Sequence, residues 1–224
     1  MRQQVLRELI TNSPIAPWVF NIKVHTDTSA WKCNLDVSAW ERKGCPNPPP
    51  FGYKRQVIQD YAERYNLRTM VETGTYLGHM CWASRSIFSR IMTVELDPKL
   101  HAAAKKRFAR HGNIECLFGD SSIVLPALLC RIQEPCLFWL DAHYSAGRTA
   151  KGSVETPISA ELDAVLSHEL RNHVVLIDDA RGFNGTHDYP KTDDLRDTVL
   201  KLRPDLTFTV EHDIIRMVPR DAPQ

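Results

Sequence analysis

The sequence contains no apolar run approaching the ~20 residues that span a bilayer, and its first residues lack the apolar stretch of a secretory signal. It also lacks any block of Lys or Arg, and its formal net charge is only +1. Long-range attraction to nucleic acid or to an anionic membrane is therefore without support. No C-x-x-C pair occurs among Cys33, Cys45, Cys81, Cys116, Cys130 and Cys136. Cysteines scattered through apolar and helical stretches behave as small hydrophobes, so a zinc site or disulfide frame is not expected. Cys33 and Cys45 are the one pair that calls for inspection. A composition of 43% hydrophobic and 25% charged residues gives no sign of disorder. What these absences leave is a soluble, cytoplasmic globular protein, with a homo-oligomer neither required nor excluded.

What is present fits one α/β domain with an appendage, the whole being 224 residues. Residues 1–52 and 53–224 differ in character. The first segment opens with a short amphipathic stretch (Val5, Leu6, Leu9, Ile10) and turns irregular, carrying Trp18, Trp31 and Trp40. It ends in Cys45-Pro46-Asn47-Pro48-Pro49-Pro50, and a proline run continues neither a helix nor a central strand. This arm either packs its tryptophans on the main domain or forms a lid over a pocket.

From Lys54 onward, apolar runs of strand length alternate with stretches of helical spacing. Helices are expected over 55–65, 79–90, 98–110, 121–131, 157–170 and 193–202. Strands are expected from Thr69, and over 91–94, 114–118, 136–140 and 174–177. Val174-Val175-Leu176-Ile177 is unbroken aliphatic sequence, which suits a strand buried on both faces of a parallel sheet. The final two strands, 207–210 and 214–218, are separated only by Glu211, His212 and Asp213, so they must form an antiparallel hairpin. The fold class is therefore α/β: a doubly wound, mostly parallel sheet of seven strands with right-handed crossovers and a C-terminal hairpin.

Ligands in such sheets bind beyond the carboxyl ends of the strands, near the point where strand order reverses. The first strand ends in Glu72-Thr73-Gly74-Thr75-Tyr76-Leu77-Gly78, where Gly74 allows a sharp turn and Gly78 allows close packing of the next helix. This is not G-x-G-x-x-G, and an acid ahead of the glycines suits a cationic ligand better than a pyrophosphate. Glu95 ends the second strand, where a carboxylate can accept both hydroxyls of a ribose. Asp97 beside it suits a helix cap. Asp120 ends the third strand, placed to meet the exocyclic amine of adenine, with Ser121 or Ser122 capping the helix that follows.

The run from Glu72 to Asp120 resembles the cofactor half of the class I S-adenosylmethionine-dependent methyltransferases. It matches their acid-x-G-x-x-x-G loop, second-strand acid and third-strand Gly-Asp, and the terminal hairpin also resembles that family. The resemblance covers roughly residues 55–219. It implies that Glu72, Thr73, Gly74 and Gly78 pass beside the methionine portion of S-adenosylmethionine. By the same resemblance Glu95 holds the ribose, Asp120 and Ser121 the adenine, and Asp141 borders the cofactor. The loops after the fourth and fifth strands would face a small-molecule acceptor.

Those loops read Asp141-Ala142-His143-Tyr144-Ser145 and Asp178-Asp179-Ala180-Arg181. Adjacent parallel strands gather Asp141, Asp178 and Asp179 around one point, and crowded carboxylates need protons or a cation. Hard oxygen ligands suit Mg²⁺, with Ca²⁺ or Mn²⁺ as alternatives. The pattern resembles the divalent-metal-dependent O-methyltransferases of the catechol and macrolide-sugar types. The lysine that the catechol type carries three residues after its first Asp is here Tyr144, so His143 is the preferred base, with Asp141 beside it. The loop 145–153, with Arg148 and Lys151, reads as a flap. Tyr144, Arg148, Phe183 and Tyr189 are the expected acceptor contacts.

The function expected is transfer of a methyl group to a sugar or natural-product hydroxyl with help from a divalent cation. N-methylation of an amino sugar would use the same scaffold. A metal-dependent hydrolase or a catalytically silent cofactor-binding protein are the other readings. An N/D-P-P-Y/F motif is missing after the fourth strand, which argues against amide- and base-directed DNA methylation.

Overall fold

The structure, a computed structural model, describes residues 30–142 and 156–221, with side chains from Asp36 onward. Helix α1 (Ala30–Glu41) precedes α2 (Phe51–Arg64) and strand β1 (Thr69–Thr73). Then follow α3 (His79–Ser84), β2 (Arg90–Glu95), α4 (Pro98–Phe108), β3 (Ile114–Phe118), α5 (Ser121–Leu129) and β4 (Cys136–Leu140). The chain closes with α6 (Ile158–Ser167), β5 (Val174–Ile177), a 3₁₀ turn (Ala180–Gly182), α7 (Thr192–Leu202), β6 (Leu206–Glu211) and β7 (Ile214–Pro219).

The seven strands lie in the order β3-β2-β1-β4-β5-β7-β6. The first five pair in parallel, and β7 runs antiparallel to both β5 and β6. Strand order reverses between β1 and β4, so the ligand crevice of a doubly wound sheet opens there. The expected architecture is the one observed.

Period-two alternation along the central strands builds two cores. Cys136, Phe138 and Leu140 of β4 pack with Val71, Val175 and Ile177 against α5, α6 and α7. Leu137 and Trp139 point to the other face and pack with Met70, Val174 and Leu176 against α2, α3 and α4. Trp139 is 1% exposed and Phe138 0%. Burial of side chains this large contributes roughly 2–3 kcal/mol each, which fixes the register of β4 and hence the position of Asp141 just beyond it.

Differences from the sequence reading lie at element ends. Part of the stretch read as irregular is helical: α1 packs Val37 and Trp40 inward, and α2 begins at Phe51 directly after Pro50. The boundary at 52/53 thus falls within the first turn of α2. Helix α3 stops at Ser84 rather than running to 90, because the chain turns there and drops Phe88 into the core at 2% exposure. The β6–β7 turn is two residues, His212 and Asp213, at φ of 46° and 65°. Both are left-handed, as the primed turn of a two-residue hairpin requires. No helix among the described residues is long and apolar enough to cross a membrane.

Candidate active site

The carboxyl edge of β1 is held from beneath by a buried polar chain. The Glu72 carboxylate accepts from the Cys81 thiol at 2.8 Å and from the Thr93 hydroxyl at 2.6 Å. With the Thr93 proton committed to Glu72, the Thr75 hydroxyl donates to Thr93 at 2.6 Å. Burial pushes the Glu72 carboxyl up to about 7, and the Asp141 and Glu95 charges add to that rise. Glu72 is only 2% exposed and Thr73 0%, so neither side chain faces an open pocket. Glu72, which the sequence places beside a cofactor, supports the loop from beneath.

Gly74 has φ of +83°, and a Cβ there would lie 2.5 Å from the Asp141 carbonyl oxygen. The β1 and β4 loops can come this close only with glycine at that position. Gly78, at φ of +69°, sits at the N-terminus of α3, where a Cβ would meet the Phe108 ring at 2.7 Å. Its packing role is as expected from the sequence.

Glu95 projects from the end of β2 and joins two loops. Its Oε2 accepts from the Tyr76 backbone N–H at 2.7 Å, and its Oε1 from the Asp97 N–H at 2.8 Å. Burial raises its carboxyl above the usual range, while those backbone donors oppose the rise. Each carboxylate oxygen keeps a second lone pair, so a vicinal diol still finds two acceptors held on a rigid frame. Asp97 caps α4 through the N–H groups of Lys99 and Leu100, as its position suggested.

Asp120, not Ser121 or Ser122, is the cap of α5: its Oδ1 accepts from the Ser122 N–H at 3.0 Å and the Ser122 hydroxyl at 2.6 Å. Ser121 is buried, and its hydroxyl turns toward Glu161 of α6. Glu161 is 1% exposed, with its Oε1 unpartnered in the described structure. Burial is the main cause of a carboxyl pushed up to about 7 there; the nearby Asp120 and Asp141 charges raise it further, against Ser121 and Thr73.

A shallow, open pocket lies beside these groups at the ends of β4 and β5. Asp141, Glu161, Asp178, Phe183 and Tyr189 line it. Phe183 and Tyr189 meet edge to face with centroids 5.0 Å apart, and burial raises the Tyr189 phenol. Both expected aromatics therefore flank the pocket.

The ladder continues past the strands, with the Asp141 N–H donating to Thr73 O and the Asp178 N–H to Leu140 O, each at 3.1 Å. Asp141 and Asp178 thus end adjacent strands, as the sequence implied. Burial, with the Asp141 charge next, drives the Asp178 carboxyl up to about 6 against the pull of Lys54. Lys54, from α2, is the residue that strand-end reasoning missed. Its Nζ lies 2.5 Å from Asp178 Oδ2 and 3.9 Å from Asp179 Oδ1.

Asp179 adopts a left-handed conformation, φ 55°, and turns its carboxylate to Arg181 at 2.9 Å. Arg181 also pairs with Asp213 in the β6–β7 turn, whose carboxylate takes the Arg181 N–H at 2.8 Å as well. Within the expected trio, Asp178 pairs with Lys54, and Asp179 with Arg181 and at longer range with Lys54. Among the described residues, no group of three or more His, Cys, Asp or Glu side chains is arranged to hold a metal ion. The cysteines with described side chains are free thiols, Cys45 among them. His143, Tyr144, Arg148, Lys151 and the whole loop 145–153 lie outside the described residues.

The strand order, the switch-point loops and the antiparallel β7 define the fold of the class I methyltransferases. No protein-family model matches the sequence, and no curated protein matches it. Among solved structures, the chain is similar to the O-methyltransferase TomG of Streptomyces achromogenes, involved in tomaymycin synthesis and solved with S-adenosylmethionine. Identity is 18% over 84% of this chain and 89% of that one, with a TM-score of 0.52. An O-methyltransferase from Bacillus cereus in complex with S-adenosylhomocysteine shows 15% identity over 83% and 90%, with a TM-score of 0.54. A Podospora anserina methyltransferase bound to S-adenosylhomocysteine shows 18% identity over 84% and 88%, with a TM-score of 0.52. These are likenesses of fold.

Proposed function

We propose that this chain is an S-adenosylmethionine-dependent methyltransferase that acts on a hydroxyl of a small molecule, a sugar or natural product. The observation that carries this reading is the Glu95 carboxylate at the switch-point edge, braced by the Tyr76 and Asp97 N–H groups with acceptor capacity left over. The fold neighbours solved with S-adenosylmethionine or S-adenosylhomocysteine support the choice of ligand.

In this reading Glu95 accepts the ribose hydroxyls and Asp120 the adenine amine, while the backbone at Gly74 and Gly78 runs beside the methionine portion. When bound, S-adenosylmethionine supplies an electrophilic methyl on a sulfonium centre. The carboxylates of Asp141 and Asp178 give the neighbouring pocket a negative potential, which favours a cationic ligand. The pocket between Glu161, Phe183 and Tyr189 holds the acceptor so that its oxygen lies in line with the methyl. His143 takes the hydroxyl proton as attack proceeds, with Asp141 fixing the start of its loop. Tyr144 and Arg148 contact the acceptor. The setting of this activity in our reading is the cytoplasm.

One of the described carboxylates already carries a cation: Lys54 lies on Oδ2 of Asp178, whose Oδ1 also accepts from the Asp179 N–H at 2.9 Å. We route no step through a metal. The hydrolase alternative, which needs a metal ion, loses its main support.

Glu95→Ala tests the cofactor assignment. Binding of S-adenosylmethionine, measured by calorimetry, should weaken by ~1.5–3 kcal/mol, the scale of hydrogen bonds to a charged group. Affinity equal to wild type in a folded variant would remove the ribose role.

A further inference from the structure

The carboxylates at the ends of β4 and β5 resemble a metal site in sequence, yet an internal cation meets those at the end of β5. Lys54 enters from α2, a helix ahead of the first strand, and its side chain is 16% exposed. The residue before it is anchored on three sides. The neighbouring Tyr53 packs on Trp40 at 4.6 Å and on His212 at 5.2 Å, and its hydroxyl accepts from Arg216 at 3.0 Å. Asp178, the partner, has a side chain 4% exposed. A contact of 2.5 Å between groups this sheltered is a built ion pair and not a solvated surface contact.

Geometry leaves little room for a second cation. Magnesium ligates carboxylate oxygen at about 2.0–2.1 Å and demands near-ideal octahedral positions. An ion bound to Asp178 Oδ2 would share that oxygen with the ammonium and repel it across a few ångströms. Asp179 cannot compensate, because its carboxylate has turned toward Arg181.

We propose that the Lys54 ammonium stands in place of a divalent cation at this edge, on Asp178 and Asp179, as a positioning residue that fixes the Asp178 carboxylate beside the acceptor pocket. Resting on the methyltransferase reading for its purpose, the proposal makes methyl transfer by this chain independent of divalent metal. Lys54 acts through Asp178 and not on the reacting atoms. The ion pair itself is a claim about cation occupancy and can be tested without turnover.

The test is Mn²⁺ binding to the purified full chain, followed by electron paramagnetic resonance, for wild type, Lys54→Arg, Lys54→Met, Asp178→Asn and Lys54→Met/Asp178→Asn. Wild type and Lys54→Arg should bind no Mn²⁺ at this edge. Lys54→Met keeps the apolar stem and frees the carboxylates. It should gain Mn²⁺ affinity of at least about tenfold over wild type, the part of a unit charge's short-range interaction that survives screening. The added Asp178→Asn change should abolish that gain. Mn²⁺ bound by wild type and lost on Asp178→Asn alone would overturn the proposal, as would a folded Lys54→Met variant with no gain. If Lys54→Met does not fold, Lys54→Gln replaces it under the same criteria. Calorimetry of wild type with S-adenosylmethionine in EDTA separates the two claims. Failure there removes the methyltransferase reading, while the Mn²⁺ outcome still decides the role of Lys54.

Discussion

Glu161 concentrates the electrostatic tension of the site in one side chain. It is 1% exposed and one oxygen has no partner in the described structure; burial above all, with the nearby Asp120 and Asp141 charges adding to it, raises its carboxyl to about 7. A carboxyl raised in the folded state is held protonated by folding. Its stabilising contribution is complete below the unfolded value near 4.5 and is lost as pH rises through about 7. Glu72 acts in the same direction for the same reason. His79 and His173, buried and depressed to about 4, act oppositely: their contribution holds above the unfolded value and is lost as pH falls toward 4. Comparing wild type with Glu161→Gln cancels these other groups. The variant should gain on the order of 2–3 kcal/mol on wild type between pH 5 and pH 8. Urea denaturation at the two pH values measures this, and an unchanged difference between the two proteins would show that Glu161 is not held protonated.

Among elements, α1 and α2 most change the picture of the site. Trp40 of α1 is 7% exposed and stacks near Tyr53 and His212, while its Nε1 donates to the Pro46 carbonyl at 2.7 Å. It ties α1 to the start of α2 and to the β6–β7 turn. Trp40→Ala should cost about 3 kcal/mol, at the low end for a buried tryptophan because this cluster lies at the edge of the core. Chemical denaturation should show that loss; a change within about 0.5 kcal/mol, the range of ordinary surface substitutions, would make the arm a loose appendage.

The strands were legible because their signals are local. Val174-Val175-Leu176-Ile177 can be little other than a buried strand, and Glu95 and Asp97 are placed by the strand they end. Helix α1 was not legible. Asn34, Val37 and Ser38 are middling helix formers, the segment has no regular apolar stripe, and the helix depends on packing Val37 and Trp40. Lys54 escaped for a related reason. Its approach to β5 depends on how α2 docks, and no strand-end pattern encodes that docking. The acidic trio was correctly drawn together at Asp141 and Asp178. Its splitting at Asp179 follows from a left-handed backbone and an arginine two residues on.

At the scale of the whole molecule, a doubly wound sheet with order β3-β2-β1-β4-β5-β7-β6 brings Gly74, Glu95 and Asp120 to one edge and Asp141 with Asp178 beside them. In the proposed reading the first set takes the adenosyl ligand and the second borders the acceptor pocket. The two sets share the β1–β4 switch point because the Gly74 turn packs directly on the Asp141 backbone. The central claim is that this edge binds S-adenosylmethionine. Isothermal titration of the wild-type chain with S-adenosylmethionine in EDTA tests it directly. Saturable binding at one site per chain, unchanged when excess Mg²⁺ is added, is the predicted result; a folded chain that takes up no S-adenosylmethionine under either condition would contradict it.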